Sequence, residues 1–172
     1  MSKLLEVENL RVSYHSYAGE VQAVRGVSFT ADEGGTLAVV GESGCGKSVT
    51  ARSIMGLIQT PPGEIKAASH IWYKGKDILD YTEKEWRSYR GAECSIIFQD
   101  ALAALNPTMK IGRQIAENVL LHGSADRKQA WTEAENMLGM IGIPEPGKRM
   151  HQYPHEFSGG MRQRVMIAAA LV

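Results

Sequence analysis

One short segment, residues 41–48, constrains this chain more than any other feature. It reads Gly-Glu-Ser-Gly-Cys-Gly-Lys-Ser and fits the pattern G-x-x-x-x-G-K-[ST]. A continuous apolar run over residues 36–40 precedes it, and a helical pattern from residue 47 to about residue 58 follows it. An apolar strand, a glycine-rich turn and a helix in this order predict an α/β fold in which the turn binds phosphate.

The residue types of this turn explain the chemistry. Glycines let the backbone curl so that successive N–H groups point inward, and the helix start adds partial positive charge. The Lys47 ammonium can reach the β- and γ-phosphates of a nucleotide, and the Ser48 hydroxyl can ligate Mg²⁺. Cys45 is expected to contribute its backbone and not its sulfur. The predicted nucleotide ligands here are Gly41, Glu42, Ser43, Gly44, Cys45, Gly46, Lys47, Ser48 and Val49. The motif alone does not separate ATPases, GTPases and small-molecule kinases.

Strand patterns flank the phosphate segment. Residues 4–12 alternate apolar and polar side chains, residues 23–31 read as a second strand, and both suit an antiparallel sheet with one wet face. Residues 32–35, Asp-Glu-Gly-Gly, predict a turn. The apolar runs over residues 36–40 and 94–98 predict two buried parallel strands.

Helical periodicity dominates the second half. Residues 67–73 predict one more strand and residues 82–89 a short helix, and three longer helices follow. The apolar positions that indicate these helices are Ile111, Ile115 and Val119; Trp131, Ala134, Leu138 and Ile141; and Met161, Val165, Ala168 and Val172. Ser158 is a good N-cap for the last one. A strand-helix-strand half followed by helices suggests two lobes.

Composition excludes several classes of partner. Of 172 residues, 44% are hydrophobic, which suits a globular domain with a core. Nineteen basic and nineteen acidic residues give zero formal charge, so no overall field argues for nucleic acid. Cys45 and Cys94 lie far apart and are expected to be reduced thiols. We expect no signal peptide and no membrane span, so any link to a membrane would run through a partner.

Three further features bear on nucleotide chemistry. Ser158, Gly159 and Gly160 place two glycines after a capping serine at a helix start, which exposes N–H groups to an incoming anion. Gln99 ends the predicted strand over residues 94–98, where its amide can reach Mg²⁺ or an attacking water. An aromatic ring for stacking on a base is predicted after the first strand, with Tyr14 favoured over Tyr17.

Together these motifs resemble the ATP-binding subunits of ABC transporters. The signature that is usually Leu-Ser-Gly-Gly-Gln reads Phe-Ser-Gly-Gly-Met at residues 157–161, Gln99 resembles the Q-loop glutamine, and Tyr14 resembles the A-loop aromatic. The run Tyr-Pro-His-Glu-Phe at residues 153–157 is similar to the sequence that precedes the signature in the oligopeptide, dipeptide and nickel importer ATPases, with the oligopeptide type most similar. Further matching runs are Ile-Met-Gly-Leu-Ile at 54–58, Ile-Phe-Gln-Asp at 97–100 and Leu-Asn-Pro at 105–107.

The resemblance implies a P-loop NTPase of the ABC ATPase type. It would have an antiparallel β-subdomain and a partial parallel core sheet over residues 1–99, a helical subdomain over 100–157 and a signature helix over 158–172. Lys47 and Gln99 would act in catalysis, and Ser48 and Gln99 would hold the Mg²⁺ of bound ATP. A second ABC ATPase subunit, identical or different, would close head to tail on the nucleotide.

The implied setting is the cytoplasmic face of the plasma membrane. The chain would be held there by transmembrane permease subunits and served indirectly by a peptide-binding protein, with ATP binding and hydrolysis powering peptide import. The family's next element, an apolar strand ending in Asp-Glu, is expected outside residues 1–172. We therefore expect these residues to bind nucleotide weakly and not to turn it over. The alternatives are a non-transport ABC ATPase and a non-hydrolysing nucleotide-binding regulator.

Overall fold

The computed structural model describes residues 2–100, 104–123 and 126–172. The chain divides into two compact units, Met1–Trp86 and Arg87–Val172. The first unit is built mainly on strands and the second mainly on helices. The finer division into core, helical subdomain and signature helix stays a prediction, and residues 101–103 and 124–125 of that helical subdomain lie outside the described residues.

An antiparallel sheet organises the first unit. Its strands are β1 (Lys3–Ser16), β2 (Gly19–Asp32), β3 (Gly63–Ile65), β4 (His70–Tyr73) and β5 (Lys76–Asp77). They are ordered β2-β1-β4-β5, and β3 pairs with β1 off this path. The buried apolar side chains of this unit include Val7, Leu10, Val12, Val24, Ile71 and Ile78. The two predicted antiparallel strands are therefore confirmed.

These two strands are longer than the alternation predicts. A two-residue turn at Tyr17 and Ala18 joins them, and Ser16 Oγ accepts from Ala18 N and donates to Gly19 O, both at 3.2 Å. Because so short a turn keeps its flanking residues in register, pairing continues to Ser16 opposite Gly19. The predicted turn over residues 32–35 is confirmed by Gly35 N donating to Asp32 O at 3.0 Å.

Helix α1 (Lys47–Ile54) ends earlier than predicted. The sequence predicts that it continues to about residue 58 and that Pro61 and Pro62 end it. Gly56 adopts a left-handed φ of 60°, and an added Cβ there would lie 2.8 Å from the Trp86 ring. A glycine that turns left-handed just past the last turn is a common helix end, so Gly56 and not the proline pair terminates α1.

Helix α2 (Glu83–Ala92) begins near its predicted start and runs further, with non-helical dihedrals at Arg90 and Gly91. The second unit contains α3 (Ile111–His122), α4 (Arg127–Met140), α5 (Pro146–Arg149) and α6 (Gly159–Leu171). The predicted apolar faces of α3, α4 and α6 form one core, which confirms these three helices. Its buried members include Ile111, Ile115, Val119, Ala134, Leu138, Phe157, Val165 and Ala168.

The two predicted parallel strands are not formed. Residues 36–40 carry no strand, and Leu37, Val39 and Val40 are 46%, 51% and 87% exposed. Residues 95–98 likewise carry none, and only an isolated bridge joins Arg90 to Cys94. A strand needs neighbours for its N–H and C=O groups. Across the described ranges no strand pairs with either segment, so that prediction is wrong for this structure.

Candidate nucleotide-binding site

The phosphate segment forms a curled loop that opens directly into α1. Gly44 and Gly46 adopt left-handed φ values of 83° and 96°, which residues with a Cβ rarely tolerate. Gly46 stands at the N-cap position, and its carbonyl accepts from Thr50 N at 2.9 Å. The predicted strand-turn-helix order therefore holds from the turn onward, although the residues before the turn are not a strand.

Lys47 lies across this loop. Its Nζ donates to the carbonyls of Gly41 and Glu42, both at 2.7 Å, and lies 3.5 Å from Cys45 Sγ. An ammonium held by neutral carbonyls keeps its full positive charge, and a phosphate oxygen is a stronger partner for it. The side chain is thus in the loop's own concavity, where an anion that enters would meet it.

Two close approaches fix the shape of the loop. A Cβ added at Gly41 would lie 2.7 Å from Cys45 Sγ, and one added at Gly46 would lie 2.5 Å from the Ala23 carbonyl oxygen. Gly46 therefore packs on the backbone of β2, which anchors the start of α1 to the sheet. Glycine is therefore a steric requirement at position 46, where the neighbour is backbone, whereas at position 41 the neighbour is the exposed Cys45 side chain, which can rotate.

The remaining loop residues fit a nucleotide with its metal ion. Glu42, Ser43 and Ser48 are exposed and Val49 is half-buried. The Ser48 hydroxyl makes no hydrogen bond within the described ranges, so its oxygen is available as a hard ligand of the kind Mg²⁺ prefers. The donor set present is thus suited to Mg²⁺ carried by phosphates.

Tyr14 lies within β1 and not after it, because the strand extends to Ser16. It is half-buried and pairs with Val21 on one side and Gly63 on the other, and a Cβ added at Gly63 would lie 3.2 Å from its ring. Tyr17 is fully exposed in the hairpin turn. Tyr14 pairs with Val21 of β2, and two residues further along β2 the Ala23 carbonyl packs against Gly46. The sheet therefore connects Tyr14 to the phosphate loop.

A charged group lies one residue beyond Tyr14. His15 Nε2 lies 2.7 Å from Glu64, and Lys66 Nζ lies 2.6 Å from Glu64 and 3.0 Å from Glu20. The Lys66 hydrogen bond lowers the pKa of Glu64, and a hydrogen bond from the Ser13 hydroxyl, followed by Lys66, lowers that of Glu20. His15, Glu20 and Glu64 could together hold a metal ion, but the Lys66 ammonium already pairs with both carboxylates.

The other predicted site residues belong to the second unit. Gln99 is exposed and follows residues 95–98, which are not the strand that its prediction assumed. Ser158 caps α6 as predicted, with its Oγ accepting from Met161 N at 3.4 Å. Gly159 and Gly160 are exposed, and a Cβ added at either would meet nothing within 4 Å. This helix start is open to an incoming group.

The segment before α6 is held firmly. Phe157 is buried in the helical core, and Arg162 Nε donates to its carbonyl at 2.9 Å. Glu156 Oε2 accepts from Tyr153 N at 2.7 Å, and the Tyr153 and His155 rings stack 5.7 Å apart. Gly159 and Gly160 therefore follow a turn over residues 153–157 that is held in place by these contacts.

Sequence reasoning missed two features of the site. It gave the Cys45 sulfur no part, yet that atom fills the space beside Gly41 and contacts Lys47. It also missed the support of Gly46 by Ala23 and Val24. The glycine pattern indicated that backbones approach closely but not which strand supplies the partner, since that depends on how the sheet packs on α1.

Comparisons with a family model and with curated proteins point to the same family. A family model described as ABC transporter matches residues 24–172. The chain is 54% identical over 173 aligned residues to the dipeptide transport ATP-binding protein DppD of Bacillus subtilis, covering 100% of this chain and 51% of that protein. It is 53% identical to the oligopeptide transport ATP-binding protein OppD of the same organism, covering 99% and 48%. The chain spans about half the length of the curated relatives it matches.

Solved structures agree on the fold. A dimeric bacterial ABC transporter cassette, MJ0796, aligns with a TM-score of 0.83 at 22% identity, covering 97% of this chain and 68% of that chain. The same cassette in a post-hydrolysis dimer bound to ADP and phosphate aligns with a TM-score of 0.80. At this identity the likeness concerns fold alone. It confirms the predicted ABC ATPase fold class, whereas the partial parallel sheet of that prediction is not formed among the described residues. With a family match over most of its length, the chain belongs to the ABC transporter family.

Proposed function

We propose that residues 1–172 are the nucleotide-binding part of an ATPase subunit that powers peptide import. The observation that carries the proposal is the curled loop that opens into α1, with the Lys47 ammonium inside it at 2.7 Å from two loop carbonyls. Relatives at 54% and 53% identity are named for dipeptide and oligopeptide transport, which supports peptides as the cargo.

In this proposal Lys47 leaves the carbonyls of Gly41 and Glu42 for the β- and γ-phosphates of ATP. The exchange is favourable because a phosphate carries the opposite charge to the ammonium, and this adds a Coulomb attraction that the neutral carbonyls lack. The Ser48 hydroxyl and the Gln99 amide would hold Mg²⁺, which would supply positive charge beside the phosphates. Tyr14 supplies the ring for adenine.

A second ABC ATPase subunit completes the site in this proposal. The open helix start formed by Ser158, Gly159 and Gly160 offers N–H groups and a positive dipole end, and within the described ranges no atom lies within 4 Å of a Cβ added at either glycine. Each subunit would present this segment to the nucleotide of the other. ATP would hold the pair together, and hydrolysis would release it.

Attachment to the membrane is assigned to permease subunits at the cytoplasmic face of the plasma membrane. No helix in the described ranges is both long enough and apolar enough to cross a bilayer. Co-purification of the complete subunit with a polytopic membrane protein would support this assignment. Purification of the complete subunit with DNA or ribosomes, and without any membrane protein, would contradict it.

Nucleotide binding is tested by titrating the chain with a fluorescent ATP analogue in the presence of Mg²⁺. Lys47→Ala should weaken binding at least about tenfold, because it removes a charge-assisted contact. Lys128→Ala is the matched control, since Lys128 is an exposed lysine of α4 far along the chain from the loop. Equal affinity for the two variants would refute the assignment of the loop.

Turnover is tested separately by steady-state phosphate release. We expect residues 1–172 alone to release no phosphate above background, since the strand that the family resemblance assigns to the catalytic carboxylate is not among them. Phosphate release by residues 1–172 that is lost in Lys47→Ala would overturn this expectation. The proposal that the loop binds nucleotide would still stand.

A further inference from the structure

Three strands of the first unit bring three metal-ligating side chains to one place. Glu20 of β2 pairs with His15 of β1, and Glu64 of β3 pairs with Ser13, two residues before His15. Residues two apart on a strand share a face of the sheet, so all three side chains lie on the same face. One donor atom from each lies within 4.8 Å of the other two. We refer to His15, Glu20 and Glu64 as the His15 cluster.

The spacing of the donor atoms suits a transition-metal ion. Zinc bonds to nitrogen and oxygen of about 2.0–2.2 Å, at tetrahedral angles, place two ligand atoms about 3.3 Å apart. The His15 Nε2 and Glu64 Oε2 atoms lie 2.7 Å apart, and no pair of donors in the cluster exceeds 4.8 Å. Small rotations of these side chains would therefore bring all three donors to bonding distance of one ion.

Two hydrogen bonds hold the ligands from behind. His15 N donates to Pro62 O at 2.9 Å, which fixes the backbone that carries the imidazole. Ser13 is only 2% exposed, and its hydroxyl donates to the Glu20 carboxylate. Carboxylates that ligate metal ions are themselves hydrogen-bonded in this way, which orients them toward the ion. The His15 cluster thus has a buried support as well as a set of ligands.

The charge of the cluster leaves room for a stronger cation than the one present. Lys66 Nζ lies 2.6 Å from Glu64 and 3.0 Å from Glu20. One ammonium against two carboxylates leaves one negative charge when the imidazole is neutral. The Lys66 side chain is 33% exposed on a flexible stem, so it can turn into solvent. Exposed ion pairs of this kind contribute little to stability, so giving them up costs little.

We propose that the His15 cluster binds a divalent transition-metal ion of the zinc type in place of the Lys66 ammonium. His15 Nε2 and one oxygen each from Glu20 and Glu64 would be the protein ligands, with water in the remaining position. An imidazole among the ligands favours zinc, copper or nickel over magnesium and calcium, which take oxygen ligands. Across the described ranges, no other three His, Cys, Asp or Glu side chains converge in this way.

An ion at this place would join β1, β2 and β3 around Tyr14. That residue pairs with Val21 and Gly63, and each of these is the chain neighbour of a cluster glutamate. Opening of the strand pairs would then require breaking metal bonds as well as hydrogen bonds. Amide hydrogen exchange over residues 13–22 should therefore slow when the ion is bound. None of this needs a nucleotide, so the proposal stands or fails independently of ATP binding.

The test adds Co²⁺, whose visible absorption reports on its ligands, to the full chain at neutral pH. The wild type should give a saturable absorption change that Zn²⁺ abolishes by replacing Co²⁺. His15→Ala and Glu64→Gln should each weaken binding at least about tenfold, since even a hydrogen bond to a metal ligand is worth about 10–100-fold in affinity. Lys66→Met should bind the ion more tightly than the wild type, because the competing ammonium is gone.

His70→Ala is the matched control. His70 Nδ1 lies 2.7 Å from Asp77 Oδ2, the same kind of exposed histidine and carboxylate pair, but no third donor joins it within the described ranges. This variant should bind Co²⁺ as the wild type does. Equal loss in His15→Ala and His70→Ala, or weaker binding in Lys66→Met, would overturn the proposal. So would a sulfur-to-cobalt charge-transfer band, which would place the ion on Cys45 or Cys94.

Discussion

Replacing Gly46 by alanine tests whether the phosphate loop is held by the sheet. Gly46 combines a φ of 96° with a Cβ position only 2.5 Å from the Ala23 carbonyl oxygen and 3.3 Å from the Val24 side chain. Gly44 offers a matched control, since its φ is 83° but an added Cβ would meet nothing within 4 Å. The two substitutions therefore share the backbone strain and differ in the clash.

The expected magnitudes follow from these two terms. A left-handed backbone costs a residue with a Cβ about 1–2 kcal/mol, and this is the whole effect expected for Gly44→Ala. Gly46→Ala adds overpacking against a backbone atom, which costs about 1–3 kcal/mol more because a main-chain carbonyl gives way less readily than the end of a side chain. Gly46→Ala should thus be destabilised by about 2–5 kcal/mol in total.

Urea unfolding followed by far-ultraviolet circular dichroism measures the difference, with nucleotide titration run on the same samples. Gly46→Ala should also bind the ATP analogue more weakly than Gly44→Ala, because displacing the start of α1 moves Lys47 and its ammonium out of the phosphate loop. Equal stability and equal affinity of the two variants would refute the argument that β2 supports the loop.

Three further outcomes are expected. Asp126→Ala should cost about 1 kcal/mol in urea unfolding, since Asp126 and Gln129 form a capping box at α4, and an unchanged midpoint would contradict this. A hydrogen bond from Lys76 lowers the pKa of Glu85 to about 2, with backbone and side-chain contacts of the same turn adding to it. The stability this contributes is complete above the unfolded pKa of about 4.3 and is lost as pH falls through about 2. Glu85→Gln should therefore reduce the dependence of the unfolding midpoint on pH across that acid range. Parallel plots of midpoint against pH for the wild type and the variant would speak against it. Val39→Lys should lower light scattering of concentrated protein without altering its circular dichroism, because Val39 is an exposed apolar side chain of an unpaired segment; unchanged scattering would show that aggregation starts elsewhere.

Local patterns predicted those elements whose stability depends on neighbours close in sequence or on a self-contained face. The four-residue spacing of Ile111, Ile115 and Val119 predicted α3 because a helix satisfies its own backbone and needs a partner only for one stripe. The Ser158 cap of α6 was predictable for the same reason. In the first strands, alternation predicted the sheet and missed only how far the tight turn at Tyr17 extends the pairing.

Elements that depend on distant partners were not predictable in this way. Residues 36–40 have the composition of a buried strand, but composition cannot supply the neighbouring strands that make it one. The early end of α1 depends on how Gly56 meets the Trp86 ring, thirty residues later in the chain.

The sequence by itself determined the chemistry of the phosphate loop. Glycines at fixed spacing, followed by Lys47 and Ser48 at a helix start, dictate backbone donors and one cation in a small space, since these properties are local to eight residues. Only the tertiary structure decided that Gly46 packs on the carbonyl of Ala23 and that Cys45 fills the space beside Gly41. Such contacts are set by the distance between a helix and a sheet, and no spacing along one chain segment encodes that distance.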